Sequence, residues 1–293
     1  MKNQSILTDF SYIILVIADK NNRSEEKMAN LGTDFLVKCT NINKFYRKQH
    51  VLKNVSLTVQ KGERIGVVGP NGTGKTTLCE ILAQLRRVSN GSSEKKYGIR
   101  IGMQLQESKY PRGITGYDIL NLYLKAYNLL IPPEKIYQFL LNLQIEKRMN
   151  KDISKLSGGQ QQKINILLAL IVDPDLIILD ELATGLDLEI KDKIYEILSI
   201  FLANENKALL LISHNMEEIE KFCDTLIFMV AGEITKITKI VDVVAKYGSV
   251  EDFVKDQFKE YQIGAYKQGY RTGAIKHDKW AKNWARYIDK NKK

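Results

Sequence analysis

The stretch GPNGTGKTT, running from Gly69 to Thr77, decides how this chain is read. It fits Gly-x-x-x-x-Gly-Lys-Thr, the spacing that curls a backbone around phosphate. Its flanks agree. Arg64 to Val68 is a short apolar run suited to a buried strand. Thr76 to Ala83 carries apolar Leu78, Ile81 and Leu82 at helical spacing. Strand, loop and helix in that order aim N–H groups and a helix dipole at an anion. Gly69, Gly72 and Gly74 let the chain turn, with Pro70, Asn71 and Thr73 between them. Lys75 supplies a positive charge for the β- and γ-phosphates. The Thr76 hydroxyl is placed for Mg²⁺, and Thr77 closes the segment.

Three further segments follow. LSGGQ spans Leu156–Gln160, LIILDE spans Leu176–Glu181, and Ser213-His214 follows the apolar run Leu209–Ile212. LIIL is apolar at every position, which suits a strand covered on both faces. Asp180 and Glu181 then stand at a strand's C-terminal end, where α/β sheets bind ligands.

With these four motifs in this order, the chain resembles the ATP-binding cassette ATPases, the nucleotide-binding subunits of ABC transporters. The resemblance covers about Phe35 to Lys246. It implies an α/β fold: a P-loop NTPase of ABC type with a mostly parallel central sheet, an antiparallel β region and an inserted α-helical lobe. It implies that Ser157, Gly158, Gly159 and Gln160 contact ATP held by a facing subunit. A hydroxyl and bare N–H groups at a helix start suit that task. It assigns Mg²⁺ to Thr76 and Asp180, general-base work to Glu181, and γ-phosphate contact to His214. Gln106 fits the glutamine that senses Mg²⁺ and the attacking water, with Gln104 as competitor. Tyr46 fits the aromatic that stacks on adenine, with Phe45 as runner-up. Asp187, in ATGLD, fits the loop that couples two active sites. His50 and His277 match no motif.

The sequence departs from the family pattern in two places. Leu182-Ala183 stands where Pro-Thr is usual, which removes a stiff turn. The stretch from Lys75 to Gln106 is short, so the antiparallel β region is expected to be reduced.

Composition bounds the rest. The 293 residues are 44% hydrophobic, enough for a sizeable core. No apolar run approaches the ~20 residues of a membrane span. The three cysteines, Cys39, Cys79 and Cys223, show no metal-ligand spacing. ATP use and sparse cysteine indicate a reducing compartment, so the expected place is the cytoplasm, at the inner face of the membrane. The formal net charge is +10, but lysines are spread along the chain. Nucleic acid is therefore not an expected partner.

Three regions are expected. Residues 1–34 form an N-terminal extension, with Met28 just ahead of the first strand, Phe35–Cys39. Residues 35–246 form the cassette, with the helical lobe at about 115–169, broken by Pro132-Pro133. Residues 247–293 form a basic, aromatic tail. Within it Val250, Phe253, Val254 and Phe258 recur at helical spacing, as do Trp280, Trp284, Tyr287 and Ile288. The resemblance implies a second nucleotide-binding subunit and a separately encoded permease as partners. The segment from Gln104 to Thr115 looks like the exporter-type cassettes paired with ABC-2 permeases, which move drugs, peptides or lipids. The rival reading is a soluble ABC-type ATPase acting on ribosomes or DNA. A single phosphate loop and a compact helical lobe argue against it.

Overall fold

The structure is a computed structural model, and it describes residues 35–104, 110–182 and 185–260. Among the described residues, nine strands make two sheets. Strands β1 (Phe35–Tyr46), β2 (Gln49–Gln60) and β4 (Asn90–Lys95) form an antiparallel sheet in the order β2-β1-β4. This is the antiparallel β region expected from the sequence. Its first strand runs on to Tyr46, because residues 35–46 pair continuously with β2 across several bulges.

The second sheet runs β5-β6-β7-β3-β8-β9, from β3 (Arg64–Val68), β5 (Ile101–Gln104), β6 (Leu176–Asp180), β7 (Ala208–Ile212), β8 (Thr225–Val230) and β9 (Glu233–Lys239). Only β9 is antiparallel to its neighbour. Strands β6, β7 and β8 are buried at every position, as strands covered on both faces must be. Their side chains alternate between two cores. Leu176, Ile178, Leu210 and Ile212 point to the antiparallel sheet and to α1 (Lys75–Leu82). Ile177, Leu179, Leu209 and Leu211 point to the helical side.

The helical lobe contains α2 (Gly116–Ala126), α3 (Pro133–Asn142) and the first half of α4 (Gly158–Ile171). A capping box between Thr115 and Asp118 starts α2. Proline at the first position of α3 costs no helical hydrogen bond there. Helix α4 is buried on all sides over its second half, because it lies between the lobe and the sheet. Gly102 makes that packing possible: a Cβ there would lie 2.0 Å from the Ala169 carbonyl oxygen. Helices α5 (Leu188–Leu202) and α6 (Met216–Phe222) complete the cover on that side, and α7 (Ile240–Tyr247) follows β9.

The packed body does not stop at residue 246, the boundary expected from the sequence. Residues 250–260 are helical (α8), and Val250, Phe253, Val254 and Phe258 are all buried. Phe253 and Phe258 meet the Phe228 ring edge-on, with centroids 6.2 and 5.4 Å away. The aromatic stripe at Trp280–Ile288 and the extension 1–34 lie outside the described residues. Among the described residues, no helix is long and apolar enough to cross a membrane.

Candidate nucleotide site

Strands β3, β6 and β7 are parallel, so their C-terminal ends lie on one edge of the sheet. Three of the sequence motifs start there. The loop after β3 is built on positive φ at Gly69, Gly72 and Gly74. At Gly69 no side chain fits: a Cβ would meet the Met229 carbonyl oxygen at 2.1 Å. The Thr73 hydroxyl donates to the Pro70 carbonyl at 2.9 Å and tightens the turn.

Lys75 is buried under this loop. Its Nζ donates to the carbonyls of Gly69 and Pro70, at 2.7 and 2.9 Å. Burial pushes its pKa down to about 8, against the pull of Asp180 and Glu181. The next residue, Thr76, donates its hydroxyl proton to Asp180 Oδ2 at 2.6 Å. Asp180 is buried, and burial raises its pKa, with the Thr76 hydrogen bond working the other way. A hydroxyl and a carboxylate oxygen converging beside a lysine form a hard oxygen donor set, and that set fits Mg²⁺.

Glu181 follows in the left-handed region at φ +60°, unusual for a residue with a side chain. Two contacts hold it there. Its N–H donates to the Ile212 carbonyl at 2.9 Å, and its own carbonyl accepts from Gln162 Nε2 at 3.1 Å. Its Oε1 lies 3.6 Å from His214 Nε2. Burial and the positive charge of Lys75 both lower the His214 pKa, and Glu181 offsets part of this. The imidazole is therefore neutral at pH 7.

The LSGGQ segment, Leu156–Gln160, starts α4. Ser157 Oγ accepts from the Gln160 N–H, and Gln160 Oε1 accepts from the Ser157 N–H, a capping box. Ser157 and Gly158 are exposed. Gly159 packs against the next loop, where a Cβ would lie 3.0 Å from the Gly185 carbonyl oxygen. Asp187, at the end of that loop, caps α5 by accepting from the Ile190 N–H at 3.0 Å. So Ser157–Gln160 and Asp187 share one surface, while Lys75, Thr76, Asp180, Glu181 and His214 share the sheet edge.

Tyr46 ends β1 half-exposed, and its hydroxyl reaches the Thr77 side chain beside the phosphate loop. Lys44 Nζ and the Arg86 guanidinium lie 5.4 and 5.3 Å from its ring centroid. The Phe45 ring stacks instead on His50, 4.0 Å away. Gln106 lies outside the described residues. Its competitor Gln104 is buried and donates from Nε2 to the Asp180 backbone carbonyl at 2.9 Å, beneath the site.

Residues 52–184 match the family model described as ABC transporter. The chain is 31% identical over 209 residues to a Nod factor export ATP-binding protein of Cupriavidus metallidurans, covering 67% of this chain and 69% of that protein. The chain belongs to the ABC transporter family. The cassette is also 30% identical over 194 residues to a zinc import ATP-binding protein of Hydrogenovibrio crunogenus, covering 64% of this chain and 75% of that one. A solved dimeric ATP-binding cassette, in a post-hydrolysis state with ADP and Pi, shares the fold at TM-score 0.61 and 24% identity. It covers 70% of this chain and 98% of that one. The present cassette is thus an ABC-type ATPase and the ATP-binding subunit of a transporter.

Among the described residues, the buried polar side chains of Gln162 and Glu218 are two that escaped the sequence reading. Gln162 continues an apolar helix, and Glu218 follows the helix cap Asn215 like an ordinary first-turn acid. Their spacing from Ser157 and His214 carried no signal of burial.

Proposed function

We propose that this subunit hydrolyses Mg²⁺-ATP to drive a separate, membrane-embedded permease, and that the transporter exports drugs, peptides or lipids. One observation carries the ATPase half: Lys75, Thr76, Asp180, Glu181 and His214 meet at one edge of the parallel sheet. Export is supported by the exporter-like segment around Tyr110-Pro111 and by the Nod factor relative. The zinc relative belongs to an import system, so direction needs its own test.

The geometry supports a simple course of reaction. Lys75 exchanges its two loop carbonyls for the β- and γ-phosphate oxygens of ATP. Thr76 and Asp180 would hold Mg²⁺, which when bound would supply neutralisation of phosphate charge. The Glu181 carboxylate orients a water and takes its proton as the water oxygen attacks the γ-phosphorus. The bond to the β–γ bridging oxygen breaks, giving ADP and phosphate. His214, held neutral, donates a hydrogen bond to the γ-phosphate beside that carboxylate. Ser157, Gly158 and Gly159 act on the nucleotide of a second cassette, so two copies, or this chain and a paralogue, complete two sites.

The experiment is purification of the tagged chain from its own membranes in mild detergent. A co-purifying polypeptide with several membrane spans, whose presence stimulates ATP turnover, supports the transporter reading. Sealed vesicles holding that pair then report direction. Recovery of the chain on ribosomes or DNA instead would defeat it.

A further inference from the structure

A buried carboxylate sits just behind the His214 loop. Glu218, in the first turn of α6, is 4% exposed. A lone carboxylate at that depth is costly unless it is well supplied with donors. Two hydroxyls supply them, and a lysine charge lies close by. Ser213 Oγ donates to Glu218 Oε2 at 2.6 Å. The Tyr195 hydroxyl donates to Oε1, and Lys191 Nζ lies 3.7 Å from the same oxygen.

Ser213 has a second bond. Its Oγ accepts from the Asn215 N–H at 3.0 Å. That closes a turn from residue 213 to residue 215, with His214 as the residue inside it. Glu218 fixes the Ser213 hydroxyl, and the hydroxyl fixes the turn. Tyr195 and Lys191 both belong to α5, the helix that Asp187 caps. The carboxylate therefore ties the His214 turn to the helix that begins at the exposed Gly185–Asp187 loop.

We propose that Glu218 is a positioning residue for ATP hydrolysis, which sets the His214 ring through Ser213 and anchors that turn on α5 through Tyr195. The proposal rests on the reading of His214 as the γ-phosphate contact. It predicts a loss in the chemical step and not in ATP binding, because the Lys75 ammonium is held by the Gly69 and Pro70 carbonyls and not by Glu218, Ser213 or Tyr195.

The test uses Glu218→Gln and Tyr195→Phe, which keep volume, with His214→Ala as reference. ATP turnover is measured against ATP concentration, and the His214 ring is followed by NMR. The chain has only 3 histidines, so the His214→Ala spectrum assigns its resonance. Glu218→Gln should lower kcat about tenfold and leave the KM for ATP within about twofold, since a small misplacement near the reacting atoms costs rate. Tyr195→Phe should do the same to a smaller degree. Both should shift the His214 ring signal while His50 stays in place. A parental kcat in Glu218→Gln, or a lowered kcat with the His214 signal unmoved, overturns the proposal. Parental turnover in His214→Ala would instead remove the reading of His214, and the proposal with it.

Discussion

The side-chain amide of Gln162 donates to the backbone carbonyl of Glu181 at 3.1 Å, and to that of Leu182 at 3.3 Å. One residue of the helix that Ser157 begins thus holds the turn that carries the base. Gln162→Leu should leave buried carbonyls without their donor and cost about 1–3 kcal/mol in urea unfolding. Turnover should fall further than stability alone explains, since Glu181 loses its support. Equal kcat in the variant would show that the Ile212 contact alone is enough.

Glu181→Gln keeps the shape of the side chain and removes the base. ATP should bind and stay bound, and the dimer should persist on size exclusion with ATP and Mg²⁺. Turnover at the parental rate would assign the base elsewhere.

Ser157→Arg should abolish hydrolysis while a monomer still binds ATP with near-parental affinity, because Ser157 is exposed whereas Lys75 is buried under its own loop. Equilibrium binding at low protein concentration checks this. A monomer that no longer binds ATP would contradict the composite site.

Burial and Lys75 depress the His214 pKa below its ordinary 6.5. The unfolded chain then takes up a proton before the folded one does. The His214 contribution to stability is constant above pH 6.5 and is lost as pH falls from 6.5 through the folded value. NMR titration should place His214 below 6.5, and Lys75→Met should raise it, because one of its two depressing causes is gone. A folded value at or above 6.5 would remove the argument for a neutral ring.

The ends of the chain should behave differently. A protein ending at residue 263 keeps Val250, Phe253, Val254 and Phe258, and should bind ATP normally. One ending at residue 248 loses four buried apolar side chains, each contributing about 1.5–3 kcal/mol, and should melt far lower. Removing residues 1–27 should leave folding and ATP binding unchanged, while removing 264–293 should reduce recovery with membranes. Equal melting of the two C-terminal truncations would make α8 an ornament on the sheet.

The sheet edge was legible because each motif follows an apolar run that can only be a buried strand. Val68, Leu179 and Ile212 end such runs, and the parallel order then gathers what comes next. The end of the folded body was harder to read. Val250 to Phe258 shows a helical stripe, but a stripe does not name its partner, and here the partner is Phe228, distant in sequence. Glu218 and Gln162 were hidden for the converse reason. Polar side chains on helices ordinarily face water, and only three-dimensional packing turns these two inward.

The left-handed backbone of Glu181 sets two kinds of selection against each other. Such a conformation costs a residue with a Cβ about 1–2 kcal/mol, and glycine escapes that cost while losing about 0.5–1 kcal/mol in chain entropy. Glycine would also remove a carboxylate packed beside Asp180. A library screened only for resistance to heat should therefore drift toward glycine at position 181, and every clone that gains there would be a cassette without turnover.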